Sequence, residues 1–440
     1  MKKTLFIATL MSMFIGSVAA QEKFSFKFYG FVRNYACYDT RESLTSNSEQ
    51  FYYMPKNVYD PDNTGEDINA QPNIMLLSIT TRLGLNVTGP EFLGAKTSAK
   101  IEADFAGFGT SNTVLRIRQA YAKMDWKYNK LLIGQAWHPM MGDMMPDVFS
   151  LETGAPFTPF SRTPQLRYDY VIKGVTLTAT ALYQYQYTSY GPDGASFNYA
   201  RNAIVPELYF QAMYKNGGFQ VGAGVDILTI KPRQSYTWNT TEYSPVLDGN
   251  GNPIFDGNGN PITAGKEVTK TYKCNEAPVV SITPTLFASY KADRWGIKGR
   301  VTYAQNAAHL SMISGYGVTA IKDNGEWEYG TINSIGGWID ATYKQPLKKG
   351  YLQFCCFAGY TKNLGCESEI VGNIYMRGEK NMDYMWRVAP SILYTHNALQ
   401  IGVEYNPTTV GYGTHDGDYK MYNPRPVTNH RICAMVKYNF

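Results

Sequence analysis

The chain has 440 residues and a formal net charge of +5, and only 18% of its residues are charged. This near-neutral balance argues against a nucleic-acid-binding protein, which would carry clustered basic residues. Aromatic residues make up 14%, and 40 glycines accompany 35 tyrosines and 21 phenylalanines. Such a composition is typical of many strands connected by tight turns.

The chain begins with the features of a secretory signal peptide. The letters MKKTLFIATLMSMFIGSVAA start with two lysines, continue with an apolar run and end with small residues before Gln21. The run is too short for a transmembrane helix, which needs about 20 residues. We therefore expect cleavage near Ala20, which divides the chain into a signal peptide, 1–20, and one folded domain, 21–440.

After this segment the dominant pattern is an alternation with period two, which indicates strands. In 174–188, apolar or aromatic residues hold the odd positions, and Thr or Gln most of the even ones. Farther up the chain, Met75, Leu77 and Leu83 are predicted to share one face. The opposite faces are filled with Thr, Ser, Gln, Asn and Gly rather than the Lys and Glu of a soluble sandwich. The pattern therefore predicts an all-β transmembrane antiparallel β-barrel with a wet lumen, closed because an open sheet edge is not solvated in lipid.

We count sixteen candidate strands, an even number like that of bacterial single-chain barrels. Their predicted ranges are 24–38, 72–88, 95–106, 112–127, 129–138, 162–173, 174–188, 204–215, 218–231, 278–291, 294–307, 327–344, 350–363, 382–396, 398–408 and 428–440. Short connections alternate with long ones, and the long ones should lie outside the cell. The long connections are 39–71, 139–161, 189–203, 232–277, 308–326, 364–381 and 409–427.

The connection 139–161 is the most informative of these. Loops of this length are usually functional or disordered, and its Met, Val and Phe residues argue against disorder. We predict a constriction loop that folds into the lumen and narrows it, with Asp143, Asp147 and Glu152 as its acidic residues. The alternative is an exposed external loop.

The connection 232–277 contains a direct repeat, DGNGNPIF at 248–255 and DGNGNPIT at 256–263. A plain duplicated turn accounts for the repeat. A calcium site is the alternative, because Asp and Asn supply oxygen ligands, but the EF-hand spacing and its Glu are missing.

Charged residues occupy lumen-facing positions of the strands around the predicted constriction loop. Basic residues outnumber acidic ones there, and clusters of Arg and Lys in a pore favour anions. The alternative is that these arginines pair with the acidic residues and stiffen the wall. The predicted pore-lining residues are Arg33, Arg82, Lys100, Glu102, Asp104, Arg116, Arg118, Arg167 and Asp169.

The sequence shows no motif for a metal, a cofactor or catalysis. The five histidines are scattered without the local spacing of metal ligands, and no G-x-S-x-G is present. We therefore expect no metal, no cofactor and no enzymatic activity. The six cysteines could form disulfides after export, but sequence alone does not choose their pairing.

Four motifs follow one another in the first third of the chain. They are TRLGLNV at 81–87, K-x-E-x-D-F at 100–105, LRIRQAY at 115–121 and LLIGQAW at 131–137. Together they resemble the DcaP-like family of trimeric outer-membrane porins, and the resemblance is best over 75–170. It implies a 16-stranded barrel, a homotrimer and diffusion of small, preferably anionic solutes such as dicarboxylates. It also implies that the matching residues Arg82, Lys100, Glu102, Asp104, Arg116 and Arg118 line the pore.

We therefore interpret the chain as a passive porin embedded in the lipid of a Gram-negative outer membrane. The alternatives are an oligosaccharide- or phosphate-specific porin and a surface adhesin with a closed lumen. The final strand should pair with the first to close the barrel. Its terminal Phe440 resembles the signal read by the barrel-assembly machinery.

Overall fold

The computed structural model describes residues 24–46, 51–107, 114–149 and 153–440. The predicted signal peptide, 1–20, and the acidic residue Glu152 lie outside the described residues.

Sixteen antiparallel strands form one closed barrel, which confirms the predicted architecture. Each strand pairs with its neighbours in chain order, and the last strand pairs with the first. This closure pairs the backbone groups of the first and last strands, as a lipid environment requires. The barrel strands are Ser25–Asp39, Asn73–Leu77 continued by Arg82–Thr88, Lys96–Asp104, Arg116–Asp125, Asn129–Trp137, Arg162–Ile172, Val175–Leu182, Glu207–Asn216, Phe219–Ile230, Val279–Lys291, Trp295–Gln305, Trp327–Pro346, Tyr351–Gly365, Met382–His396, Leu399–His415 and Met421–Asn439.

Several predicted loops contain regular structure. The predicted loop 409–427 is mostly strand, because its two flanking strands remain paired up to His415 opposite Met421. The remaining loops contain further strands and helices outside the sixteen barrel strands. These are the strands Ser43–Ser46, Phe51–Pro55, Ser189–Gly191, Gly194–Ser196, Ser235–Pro245, Thr263–Lys273, Gly315–Ile321 and Ile374–Met376, the helices Pro139–Gly142 and Asn198–Ala203, and the 3-10 turn Ala308–Leu310. Among the described residues, no helix has the length and apolar character needed to cross a membrane.

In the second barrel strand, the prediction that Met75 and Leu77 share a face with Leu83 is wrong. Ile74 and Leu76 are the exposed residues, 73% and 76%, and they share the outer face with Leu83. Met75 and Leu77 instead pack inside the barrel. The strand is interrupted at 78–81, where a turn inserts an extra residue, and one extra residue exchanges the two faces of a strand.

The seam between the first and last strands is covalently closed. Cys37 and Cys433 lie directly opposite each other in the register and form a disulfide. The outward residues of the last strand are Ile432, Val436, Tyr438 and Phe440, in agreement with the alternation. Phe440 also exchanges two backbone hydrogen bonds with Gly30, both 3.0 Å.

Replacing Cys37 and Cys433 together with serine should lower the free energy of unfolding by about 2–5 kcal/mol. The disulfide joins residues 396 positions apart, so it restricts the unfolded chain strongly. Urea titration of the folded and heat-shifted gel bands measures the change. Cys356→Ser is a suitable control because Cys356 is exposed and unpaired among the described residues. Equal stability of the double variant and the control would contradict the expectation.

A long hairpin rises from the barrel at 235–273. Its strands Ser235–Pro245 and Thr263–Lys273 are paired with each other rather than with the barrel sheet. At its tip, Val246, Ile254 and Ile262 form a ring in which each amide donates to a carbonyl of another corner, all at 2.8 Å. Ile254 and Ile262, two of the three corners, lie in the two copies of the sequence repeat.

Each repeat of the hairpin tip is built on an aspartate. Asp248 Oδ1 accepts from the amides of Asn250 and Asn252, both at 2.9 Å, and Asp256 does the same with Asn258 and Asn260. These amides hold the pKa of both carboxyls below its usual range. The repeat is therefore a duplicated Asx-type turn, and its carboxylates are engaged by the backbone.

Candidate functional site

Charged side chains from two neighbouring strands form a buried ladder on the inner wall. Arg116 donates to both carboxylate oxygens of Asp104, at 2.9 and 2.8 Å. Arg118 bridges Glu102 at 3.0 Å and Asp104 at 2.7 Å. The register places Asp104 opposite Arg116, and period two keeps the other two charges on the same face. All four side chains are buried.

Two further cations flank this ladder and remain partly exposed. Arg82 and Lys100 lie 3.6 and 4.0 Å from Glu102, and 22% and 25% of their side chains are exposed. Tyr29 also donates a hydrogen bond of 2.8 Å to Glu102. Glu102 is therefore shared by several donors, and the charges of Arg82 and Lys100 are only partly offset.

Arg33 and Lys437 form a like-charged pair across the seam. They are direct partners in the register of the first and last strands. Like charges directly opposite each other destabilise a sheet. Arg33 Nη2 donates to the carbonyl of Phe149 at 2.8 Å, and Lys437 Nζ lies 4.4 Å from the centre of the Phe31 ring. Neither cation has an ion-pair partner among the described residues.

The predicted constriction loop lies inside the barrel. Met140 and Met141 are fully buried, and the loop contacts widely separated strands. Gln211 donates to Asp143 at 2.5 Å, and Lys298 pairs with Asp147 at 2.8 Å. These contacts exclude the alternative of an external loop for the described part, 139–149 and 153–161.

Phe149 fixes the far end of this loop against the seam. Its amide donates to Glu404 at 2.7 Å, and its carbonyl accepts from Tyr35 at 2.7 Å as well as from Arg33. Its ring lies over Gly402, where an added Cβ would come within 2.5 Å of it. The loop therefore crosses the lumen from the strand that precedes it to the opposite wall.

The remaining predicted residues lie where the loop begins its crossing. Arg167 pairs with Asp169 at 2.9 Å and approaches Asp143 at 3.8 Å. Asp169 also accepts from Thr178 at 2.6 Å. The structure thus places the predicted wall residues in two groups, around Glu102 and around Asp143, with Arg33 at the seam.

Sequence reasoning missed Arg162. It is out of phase with Arg167 and Asp169, so alternation assigns it to the other face. The predicted strand 174–188 ends at Leu182, and the residues after it pass over this region. Arg162 is consequently fully buried, donates to the Tyr187 hydroxyl at 2.7 Å and lies 4.6 Å from the Trp137 ring.

It also missed two histidines that the fold brings together. His138 and His309 both contact Glu207 and Asp226 inside the barrel. The residues come from four separate segments, so no local spacing could have indicated the cluster. Their arrangement is taken up below.

Residues 14–221 match the family model of the DcaP outer membrane protein. Over these residues, just under half of its length, the chain resembles the DcaP family. This confirms the resemblance inferred from the four motifs. No curated protein matches the DcaP-like chain.

Solved structures share the fold of the DcaP-like barrel. The outer membrane channel DcaP of Acinetobacter baumannii aligns with a TM-score of 0.60 at 18% identity, over 95% of this chain and 98% of that chain. OmpT, an outer membrane protein of Vibrio cholerae, aligns with a TM-score of 0.50 at 12% identity, over 95% and 98%. Its loop L8 deletion mutant aligns with a TM-score of 0.50 at 11% identity, over 95% and 100%. The DcaP-like chain therefore has an outer-membrane channel fold.

Proposed function

We propose that the chain is a passive porin that admits small hydrophilic solutes and prefers anions. The observation that carries this proposal is that acidic and basic side chains on the inner wall have different surroundings. Glu102 and Asp104 are buried and bonded to arginines, whereas Arg33 and Lys437 are direct partners of like charge across the seam. The water in the pore therefore meets more positive than negative charge, which favours anions.

Two features make the seam pair the centre of this proposal. Opposed cations on neighbouring strands are costly unless another group offsets them, and an anion in transit would do so. Arg82 lies 4.9 Å from the centre of the same Phe31 ring that Lys437 contacts. Two cations thus lie over one aromatic side chain, and Arg33 lies 4.4 Å from the centre of the Tyr35 ring, next to the end of the constriction loop.

The loop supplies the second part of the proposal, which is size selection. Because it is bonded to opposite walls through Asp143, Asp147 and Phe149, it reduces the cross-section through which a solute can pass. The seam cations lie at its Phe149 end. Width and charge would therefore act at the same level of the pore.

Planar-bilayer recording of the purified protein tests this function. Open channels with a reversal potential on the anion side in a potassium chloride gradient are expected. Absence of conductance would instead favour the closed-lumen adhesin, with the hairpin 235–273 as its binding element. Conductance blocked by sugars or phosphate but not by dicarboxylates would favour the specific porin.

The assembly and export of the chain belong to the same proposal. By its resemblance to the DcaP-like family we expect a homotrimer, a signal peptide cleaved near Ala20 and a position in a Gram-negative outer membrane. Native mass spectrometry from detergent would show a trimer, and a monomer would contradict the expectation.

Phe440, 59% exposed on the outer face, would present the assembly signal. Normal surface levels after its deletion would refute that role.

Phe149→Ala should raise the single-channel conductance and its fluctuations. The ring is 5% exposed and packs against Tyr35, Cys433 and Met435, so its loss frees one end of the constriction loop. Single-channel recording measures both quantities. Phe255→Ala is the matched control because that ring is exposed at the tip of the outer hairpin. Identical conductance of both variants would show that Phe149 does not hold the constriction.

A further inference from the structure

Four ionisable side chains from separate parts of the fold converge inside the barrel. His138 directly precedes the constriction loop, and Glu207 begins a barrel strand. Asp226 lies on the next strand, and His309 lies in the 3-10 turn of a distant loop. Each is 0–2% exposed, so their polar atoms must be satisfied by one another or by a bound group.

The contacts between them form one compact set. The Nε2 atom of His138 lies 3.0 Å from Glu207 and 3.5 Å from Asp226. The Nε2 atom of His309 lies 3.3 and 3.5 Å from the same two carboxylates. One ligand atom each from His138, Glu207 and Asp226 falls within 4.8 Å of the others. His309 lies outside this set of three, and it approaches Asp226 at Oδ2 whereas His138 approaches Oδ1.

These separations suit a metal ion. Zinc bonds to imidazole nitrogen and carboxylate oxygen measure about 2.0–2.2 Å, so tetrahedral ligands lie roughly 3.3 Å apart. The two contacts of His138, 3.0 and 3.5 Å, lie close to that value. Two carboxylates would also neutralise the charge of a divalent ion held with a neutral imidazole.

A second observation points to a bound group. Glu207 Oε2, Asp226 Oδ1 and both ring nitrogens of His309 are buried and make no hydrogen bond within the described chain. Leaving several buried polar atoms unsatisfied is costly. A cation bound beside His138 would engage the carboxylates of Glu207 and Asp226.

We propose that His138, Glu207 and Asp226 bind one divalent transition-metal ion of the zinc class, with His309 beside the two carboxylates. Mixed imidazole and carboxylate ligands suit zinc, cobalt and nickel better than calcium or magnesium. Nδ1 of His138 accepts from the Met140 amide at 3.2 Å. Ligation through Nε2 moves the ring proton to Nδ1 and exchanges that helix-cap contact for the metal bond. The ion links His138, which directly precedes the constriction loop, to two barrel strands.

A cluster held by protons alone is the competing arrangement. Burial lowers the pKa of His309, but the carboxylates of Glu207 and Asp226 outweigh this and raise it to about 10. Two protonated histidines would also balance two carboxylates. The two arrangements differ in whether the protein retains a metal.

Metal counting on the full-length protein in detergent distinguishes them. The protein is refolded with cobalt ions near pH 7 and desalted, because the buried site must be filled as the barrel forms. We expect about one cobalt ion per chain with the visible absorption of four-coordinate cobalt. His138→Gln and Glu207→Gln should weaken cobalt binding at least about tenfold. His415→Gln, an exposed histidine outside the cluster, should leave it unchanged.

A readout on folding covers the case of variants that do not form barrels. Wild-type protein should melt at a higher temperature with cobalt or zinc than after treatment with a chelator, because the ion binds only the folded state. Retention of less than about one-tenth of an equivalent by well-folded wild-type protein, with no effect of the chelator, would overturn the proposal. Equal metal retention by wild type and folded His138→Gln would also overturn it.

Discussion

Replacing Arg33 and Lys437 together with glutamine should lower the anion-to-cation permeability ratio at least about threefold. The two side chains face each other across the seam and lie beside the end of the constriction loop, where Arg33 donates to Phe149. Removing both takes two positive charges from the wall beside the Phe149 end of the constriction loop. Reversal potentials in a potassium chloride gradient give the ratio.

The matched control removes the same net charge away from the pore. Lys266→Gln combined with Lys273→Gln changes two exposed residues of the outer hairpin, so it tests for an effect of overall charge. The control should keep the wild-type ratio, because exposed charges farther away than about 8–10 Å are screened by salt. An unchanged ratio in the Arg33 and Lys437 variant would assign anion preference to another part of the wall.

Asp104→Asn should lower the free energy of unfolding by about 3–5 kcal/mol. The substitution keeps the shape of the side chain but removes the charge that pairs with Arg116 at 2.8 Å, and both side chains are at most 4% exposed. Arg118 would keep Glu102, whereas Arg116 would become an uncompensated buried cation. Guanidinium or urea titration of the folded barrel in detergent measures the loss.

A second substitution distinguishes two contributions to the free energy of unfolding: the penalty for leaving Arg116 unpaired, and the stabilisation that the pair with Asp104 provides. Adding Arg116→Met to Asp104→Asn should restore part of the lost stability, since an ion pair replaced by apolar groups is often neutral. Glu242→Gln is the control, because its pair with Lys270 is about half exposed and such pairs contribute about 0–1 kcal/mol. Equal losses for Asp104→Asn and the control would show that the ladder does not stabilise the barrel.

The ladder changes which arginines should govern selectivity. The sequence prediction gave Arg116 and Arg118 the same standing as Arg33 and Arg82. In the structure both are buried and bonded to carboxylates, which corresponds to the alternative that they stiffen the wall. We therefore expect their neutralisation to affect stability more than reversal potential.

Alternation was sufficient to predict the barrel because it reports directly which face of a strand meets the apolar surroundings. All sixteen strands lie near their predicted positions. The pattern failed where the backbone departs from regular geometry. The turn at 78–81 reversed the faces of Met75 and Leu77, and no local feature of composition marks that extra residue.

The site was only partly predictable for a related reason. The wall charges around Glu102 belong to neighbouring strands, so period and chain order place them together. Arg162 depends on a segment that leaves the barrel after Leu182, and the cluster of His138 and His309 depends on a loop 171 positions away. The disulfide Cys37–Cys433 likewise requires the closing register of the two end strands. Such contacts follow from the closed fold and not from any local pattern.

The ring of three backbone hydrogen bonds at the tip of the hairpin 235–273 favours two copies of the eight-residue repeat. Val246, Ile254 and Ile262 each donate one hydrogen bond and accept one within a closed cycle. Deleting one eight-residue copy would replace the three-cornered cycle with the mutual pair of bonds of an ordinary hairpin, and inserting a third copy would require a square. Unlike an ordinary surface loop, which tolerates changes in length, this tip should evolve by substitution within its turns while the number of copies stays constant.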